Sequence, residues 1–130
     1  MTTYNLADLF ETVADTVPDR EAIITEDRRL TFGELEQRAN RLAHFLRSRG
    51  VKAGDHIGLQ LRNGNEYIEG MLAAYKLRAV PINLNYNYVE GELKYLYDDA
   101  DLVALLVQRE FTPGVVAVAP DVPKLATCVM

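Results

Sequence analysis

The sequence predicts an α/β fold: a mainly parallel sheet with helices on both faces, preceded by a short N-terminal β-hairpin. Three observations predict it. From residue 52 onward, helical stripes of apolar residues alternate with short apolar runs, the pattern of a parallel sheet with crossover helices. One of those runs, Leu102 to Val107, is apolar throughout, as in a strand buried on both faces. Near the start, Ala22–Thr25 and Arg28–Leu30 are separated only by Glu26-Asp27, which reads as a hairpin turn.

Asn5 is placed to cap a first helix, with Asp8 at the positive end of the dipole. Leu6, Leu9, Phe10, Val13 and Val17 share one face of it, and Pro18 ends it. After the hairpin, Thr31-Phe32-Gly33-Glu34 spells a capping box. Leu35, Ala39, Leu42 and Leu46 continue as a helical stripe that Gly50 closes. Lys52-Ala53-Gly54-Asp55 is a tight turn before a strand in which Ile57, Leu59 and Leu61 alternate. Asn65 can cap the next helix, where Ile68, Met71, Leu72 and Tyr75 share a face. Val80, Ile82 and Leu84 alternate again, and Pro81 marks a strand start or an edge. A stripe of Val89, Leu93, Leu96, Tyr97 and Ala100 leads into the strand at 102–107. Thr112-Pro113 opens a short helix to about Ala119, and Leu125–Val129 reads as a last strand.

Composition narrows the function. The chain has 130 residues, 48% hydrophobic and 25% charged, the usage of one globular domain. A net charge of −5 disfavours nucleic acid as a partner, because phosphate neutralisation needs a basic face. The basic clusters Arg28-Arg29 and Arg47/Arg49/Lys52 read as solvated surface. No apolar run approaches the length of a bilayer helix, no secretory leader is visible, and a cytoplasmic address is expected. The single cysteine, Cys128, allows no internal disulfide and reads as a buried structural thiol.

Several chemistries lack their motifs. No phosphate-wrapping G-x-x-x-x-G-K-[ST] is present, and no G-x-G-x-x-G follows a strand. There is no C-x-x-C or H-E-x-x-H, and Ser48 is the only serine. A phospho-receiver reading of Glu26-Asp27 fails because Leu84-Asn85 stands where its phosphoacceptor would be. Asp98-Asp99 and Asp101 sit at a helix C-terminus, so a solvated cap is expected there rather than a metal site. Of Tyr86, Tyr88, Tyr95 and Tyr97, Tyr97 belongs to the packed stripe and the others to loop or helix margins; packing with satisfied hydroxyls is the expected role, and a substrate wall is the alternative. No catalytic, cofactor-binding or metal-binding residue is assigned.

Segments in a fixed order resemble the AMP-forming acyl-CoA synthetases of the adenylate-forming ligase superfamily. Leu30-Thr31-Phe32-Gly33-Glu34-Leu35 is similar to the family's L-T-[YF]-x-E-L. Val51 to Leu59 resembles its V-x-x-G-D-x-V-A-[IL], with Arg62-Asn63 matching the P-N that follows. Tyr75 to Asn85 resembles its K-x-G-A-x-x-x-P-L-N, with Glu92-Leu93 downstream. The details look more like bacterial fatty-acyl or sterol-side-chain CoA ligases than peptide-synthetase modules. There are departures: Arg78 stands where the family usually has glycine, Asn83 where proline is common, and Asn87 replaces a frequent arginine.

The resemblance implies that residues 1–130 are part of the large N-terminal domain of such an enzyme and contain no complete catalytic domain. The implied parent joins a fatty acid or related carboxylic acid to CoA through an acyl-adenylate, using ATP and Mg. Its Ser/Thr/Gly-rich loop with lysine, its acidic metal contact and its C-terminal lysine have no matching positions here. The chain alone is therefore expected neither to bind ATP measurably nor to make acyl-adenylate. It is expected to continue in the natural protein and, as a piece, to self-associate. Asn85, Tyr86 and Asn87, just past a strand's carboxyl end, are the expected wall of an acyl or pantetheine passage. The alternative is a stand-alone α/β binding or interaction module, which explains the alternation but not the ordered segments.

Overall fold

The computed structural model describes residues 6–25, 28–62, 64–84, 90–122, 125 and 127–129. The elements run α1 (Leu6–Thr16), β1 (Glu21–Ile24), β2 (Arg29–Thr31), α2 (Phe32–Ser48), β3 (His56–Gln60), α3 (Asn65–Lys76), β4 (Val80–Asn83), α4 (Glu90–Asp99), β5 (Leu102–Val107), α5 (Thr112–Val118) and β6 (Thr127–Val129). Short 3-10 turns at Arg109–Phe111 and Ala119–Asp121 flank α5. β1 and β2 form an antiparallel hairpin. The other four strands make one parallel sheet in the order β4-β3-β5-β6. Pro81 lies on β4, at an edge, where its missing N–H costs no ladder bond.

The two faces of the sheet carry separate cores. Ile57, Leu59, Ala104 and Leu106 pack under α2 and α3, against Leu46, Ala73 and Ala74. Leu102, Leu105 and Val107 pack under α4 and α5, against Leu93, Tyr97, Val115 and Val118. Helices therefore cover both faces, as the alternation predicts.

The predicted ends of α2 hold in atomic detail. Glu34 N donates to Thr31 Oγ1 at 3.1 Å, and Thr31 N donates to Glu34 Oε1 at 3.0 Å. At the other end Val51 N donates to Leu46 O at 3.1 Å and Gly50 N to Arg47 O at 3.0 Å. That pair of bonds is a Schellman motif, and Gly50 supplies its left-handed residue with φ of 92°.

Four expectations need correction. In α1, Leu6, Leu9 and Val13 are 56%, 61% and 41% exposed, while Ala7 and Ala14 are buried. The helix lies close to α2 and α3, so its small side chains face inward and the larger ones stay outside. In α3 the buried face is Asn65, Glu69, Gly70, Leu72, Ala73 and Ala74; Ile68 is exposed. The cause is again close approach: a Cβ on Gly70 would meet Leu106 Cδ1 at 2.8 Å and Leu59 Cδ2 at 3.0 Å. β3 does not alternate between core and solvent but is central, with Gly58 and Gln60 buried as well as Ile57 and Leu59. Cys128 is exposed, because β6 is a three-residue strand at the sheet's margin. Enough atoms surround its sulfur for desolvation to raise the thiol pKa.

Candidate functional site

In an open parallel sheet, ligands bind outside the carboxyl ends of the strands, where neighbouring connections leave in opposite directions. Here that point lies between β3 and β5: α3 leads from β3 to β4 on one flank, and α5 leads from β5 to β6 on the other. Two loops meet there. Gln108 N donates to Gln60 O at 3.1 Å. Arg62 binds Glu110 through Nε and, at 3.2 Å, through Nη2, and its guanidinium stands 5.5 Å from the Phe111 ring centroid. The hydrogen bond from Arg62, then its charge, holds the Glu110 carboxyl below the usual carboxylate range. This clamp ties the loop after β3 to the turn after β5.

Beside the clamp, on the α2/α3 face, a cleft of about 370 Å³ opens between Arg38, Leu42, Glu69, Leu106, Arg109 and Val129. Its apolar floor comes from the ends of β5 and β6. Its charged wall is built by two helices: Arg38 on α2 donates through Nε to Glu69 Oε1, and Asn65 Nδ2 donates to Glu69 Oε2 at 2.7 Å. The Glu69 side chain is only 8% exposed, so it needs both donors. On the sheet's opposite face, Tyr97 OH donates to Gln60 Oε1, and burial pushes the Tyr97 phenol well above its usual range. That satisfied hydroxyl is what the packing reading of Tyr97 expects.

Of the other tyrosines in that stretch, Tyr95 is exposed on α4, while Tyr86 and Tyr88 lie outside the described residues. So do Asn85, Tyr86 and Asn87 as passage wall. The strand that precedes them, β4, lies at the sheet's edge beside β3. Asn65 lies inside the first turn of α3 rather than at its cap, which is Gly64. Asp98, Asp99 and Asp101 are exposed. The sequence reading missed both ion pairs. A signal existed for one: Asn65 and Glu69 are spaced i, i+4 beside Gly70 and Ala73, which places polar side chains on a small-residue face.

The cleft can hold and orient an amphipathic group. Its lining carries two carboxylates, Glu66 and Glu69, beside two arginines, Arg38 and Arg109. Among the described residues no group of three or more His, Cys, Asp and Glu is placed to hold a metal. Also among them, no helix is long and apolar enough to cross a membrane.

The architecture defines a class: an open, mainly parallel α/β domain with its crevice between two central strands. Residues 10–130 match the family model described as AMP-binding enzyme, and the chain belongs to that family. It is 47% identical over 126 residues to a 3-oxocholest-4-en-26-oate–CoA ligase of Rhodococcus rhodochrous, covering 97% of this chain and 23% of that protein. It is 50% identical over 123 residues to a medium/long-chain-fatty-acid–CoA/3-oxocholest-4-en-26-oate–CoA ligase of Mycobacterium marinum, covering 95% of this chain and 22% of that protein. Among solved structures it resembles the anthranilate CoA ligase AuaEII in complex with anthranoyl-AMP. There the TM-score is 0.92 and the identity 26%, over 98% of this chain and 25% of that one. The chain thus spans less than a quarter of the length of the two ligases it matches.

Proposed function

We propose that these 130 residues are amino-terminal framework of an ATP-dependent acid–CoA ligase acting on a fatty acid or a related acid, such as a steroid side-chain carboxylate, through an acyl-adenylate. The observation that carries this reading is the match along almost the whole chain, at 47–50% identity, to ligases named for those substrates. The parent enzyme would use ATP, Mg and CoA. The framework's part is positional: it sets the sheet, the β3/β5 clamp and the cleft beside it. Asn85, Tyr86 and Asn87, following β4, would contribute to the acyl or pantetheine passage. A stand-alone interaction module accounts for the fold but leaves the extended sequence match unexplained.

Catalysis of adenylation needs charge stabilisation aimed at the reacting phosphates, and the family motifs expected to supply it have no matching positions in residues 1–130. The test is a pyrophosphate-release assay with Mg-ATP and medium-chain and steroid acids. The 130-residue chain alone is expected to stay at background, and a chain extended to the relatives' full length to turn over. Release by the 130 residues alone, or none by the extended chain with any such acid, would overturn the reading.

A further inference from the structure

Residues 38–54 hold Arg38, Arg41, Arg47, Arg49 and Lys52 and no Asp or Glu, in a chain of net charge −5. Two of these cations, Arg47 and Lys52, meet Lys76 around a pocket of about 440 Å³, where the ends of α2 and α3 approach the Lys52–Asp55 turn. A smaller recess of about 140 Å³ runs on past Arg47 and Lys76 to Asn40 and His44. Among the described residues neither Arg47 nor Lys52 forms an ion pair.

Lys76 differs from the other two. Its side chain is 7% exposed, and Nζ donates to Glu11 Oε1 at 2.8 Å and to Glu36 Oε1. Two carboxylates more than offset its single charge, so Lys76 helps to shape the pocket wall and adds no net attraction for an anion. The attraction for an anion comes from Arg47 and Lys52. Three carboxylates oppose it: Glu11, which lines the recess, Glu36 on Lys76, and Asp55, whose Oδ2 accepts from Lys52 N at 2.8 Å.

Helix C-termini ordinarily repel anions, and two of them border this pocket. Their carbonyls are occupied here. Leu46 O and Arg47 O accept from Val51 N and Gly50 N, while Ala73 O and Ala74 O accept from Leu77 N and Ala79 N. These end carbonyls are thus satisfied by backbone N–H groups, which leaves the dipoles in place, and among the described residues the Arg47 and Lys52 side chains are not engaged in capping them.

We propose that this pocket binds a phosphate-bearing small molecule, with the phosphoryl oxygens held by the exposed Arg47 guanidinium and Lys52 ammonium that line it. Planar guanidinium donors match phosphate oxygens in pairs. In the competing account Arg47 and Lys76 only offset the helix dipoles, which gives them a role in stability and none in binding.

The two accounts separate in a titration of the ¹⁵N-labelled chain with inorganic pyrophosphate at constant ionic strength. Saturable amide shifts are expected at Arg47, Gly50 to Ala53, Lys76 and Leu77. In Arg47→Ala/Lys52→Ala, both on exposed positions, affinity should fall roughly tenfold or more, the scale of a lost charge-assisted hydrogen bond. Arg28→Ala/Arg29→Ala should bind as the parent does. Shifts that do not saturate, or that are equal in both double variants, would overturn the proposal. Indifference to pyrophosphate together with retention on phosphatidic-acid vesicles would overturn the free-ligand assignment in favour of lipid headgroups.

Discussion

Arg78 and Asp8 stand 70 positions apart and meet: Arg78 Nη2 lies 3.0 and 3.4 Å from the two carboxylate oxygens of Asp8. Arg78 also donates through Nη1 to Tyr75 O at 3.1 Å, and it does so with φ of 60°. A left-handed non-glycine residue costs about 1–2 kcal/mol, whereas an exposed ion pair contributes roughly 0–1 kcal/mol. Where the family usually has glycine, this chain accepts backbone strain and gains a tie from α3 to α1. Arg78→Ala should lower the urea midpoint, since it keeps the strain and loses the tie. Arg78→Gly should exceed Arg78→Ala by about 1 kcal/mol. Equal stability of the two variants would show that the backbone at 78 is not strained.

Gly58 and Gly70 test the close approach of the layers. A Cβ on Gly58 would meet Leu102, Leu105 and Leu84 side-chain carbons at 2.7, 2.9 and 3.0 Å. Gly58→Ala should cost about 1–3 kcal/mol through overpacking. Gly70→Ala faces a similar clash with two leucines but gains about 1 kcal/mol of helix propensity, so its net loss should be smaller. Chemical denaturation of the pair decides this, and the reverse ranking would contradict the packing described.

The capping box makes a pH prediction. The Thr31 backbone hydrogen bond, then the Thr31 side chain, holds the Glu34 carboxyl below its ordinary value of 4.5. A carboxylate with a depressed folded pKa contributes stability above its unfolded pKa and loses it as pH falls through the folded value. Stability curves of the parent and Glu34→Gln should differ near neutrality and converge in acid. Thr31→Ala, which removes the cap hydroxyl and with it the second cause of the depression, should cost about 1 kcal/mol near neutrality and less in acid.

Exposed apolar surface predicts association. Leu6, Leu9 and Val13 form a stripe on α1, and among the described residues β6 is paired on one side only. Patches and strand edges of this kind drive self-assembly. Light scattering should return a mass above 14.6 kDa that rises with concentration, and Leu9→Lys/Val13→Glu should lower it. A concentration-independent monomer would remove the prediction.

What was legible in the sequence was local chemistry. The capping box, Gly50, Pro81 at an edge and the apolar β5 each state their structure within a few residues, because the bonds they make are short-range. The buried faces of α1 and α3 were not legible in that way. Periodicity ranks large apolar residues as inward, but where helices lie close to their neighbours, alanine and glycine take the inner positions. β3 misled for a related reason: Gly58 and Gln60 look outward by alternation, yet α4 and its tyrosine cover that face. The charged wall of the cleft joins Arg38 to Glu69 across two helices, a pairing that no window along the chain contains. Cys128 depended on how much of β6 is covered, which is a tertiary fact.

The register of the sheet bears on how the chain is made. β3 pairs with β4 soon after, but its other flank waits for β5, with Ile57 opposite Ala104 and Leu59 opposite Leu106. At about 5–20 residues per second, a ribosome needs several seconds to deliver that partner. Throughout the interval one side of the central strand is an open template on the nascent polypeptide, a window in which chaperone capture competes with misassembly.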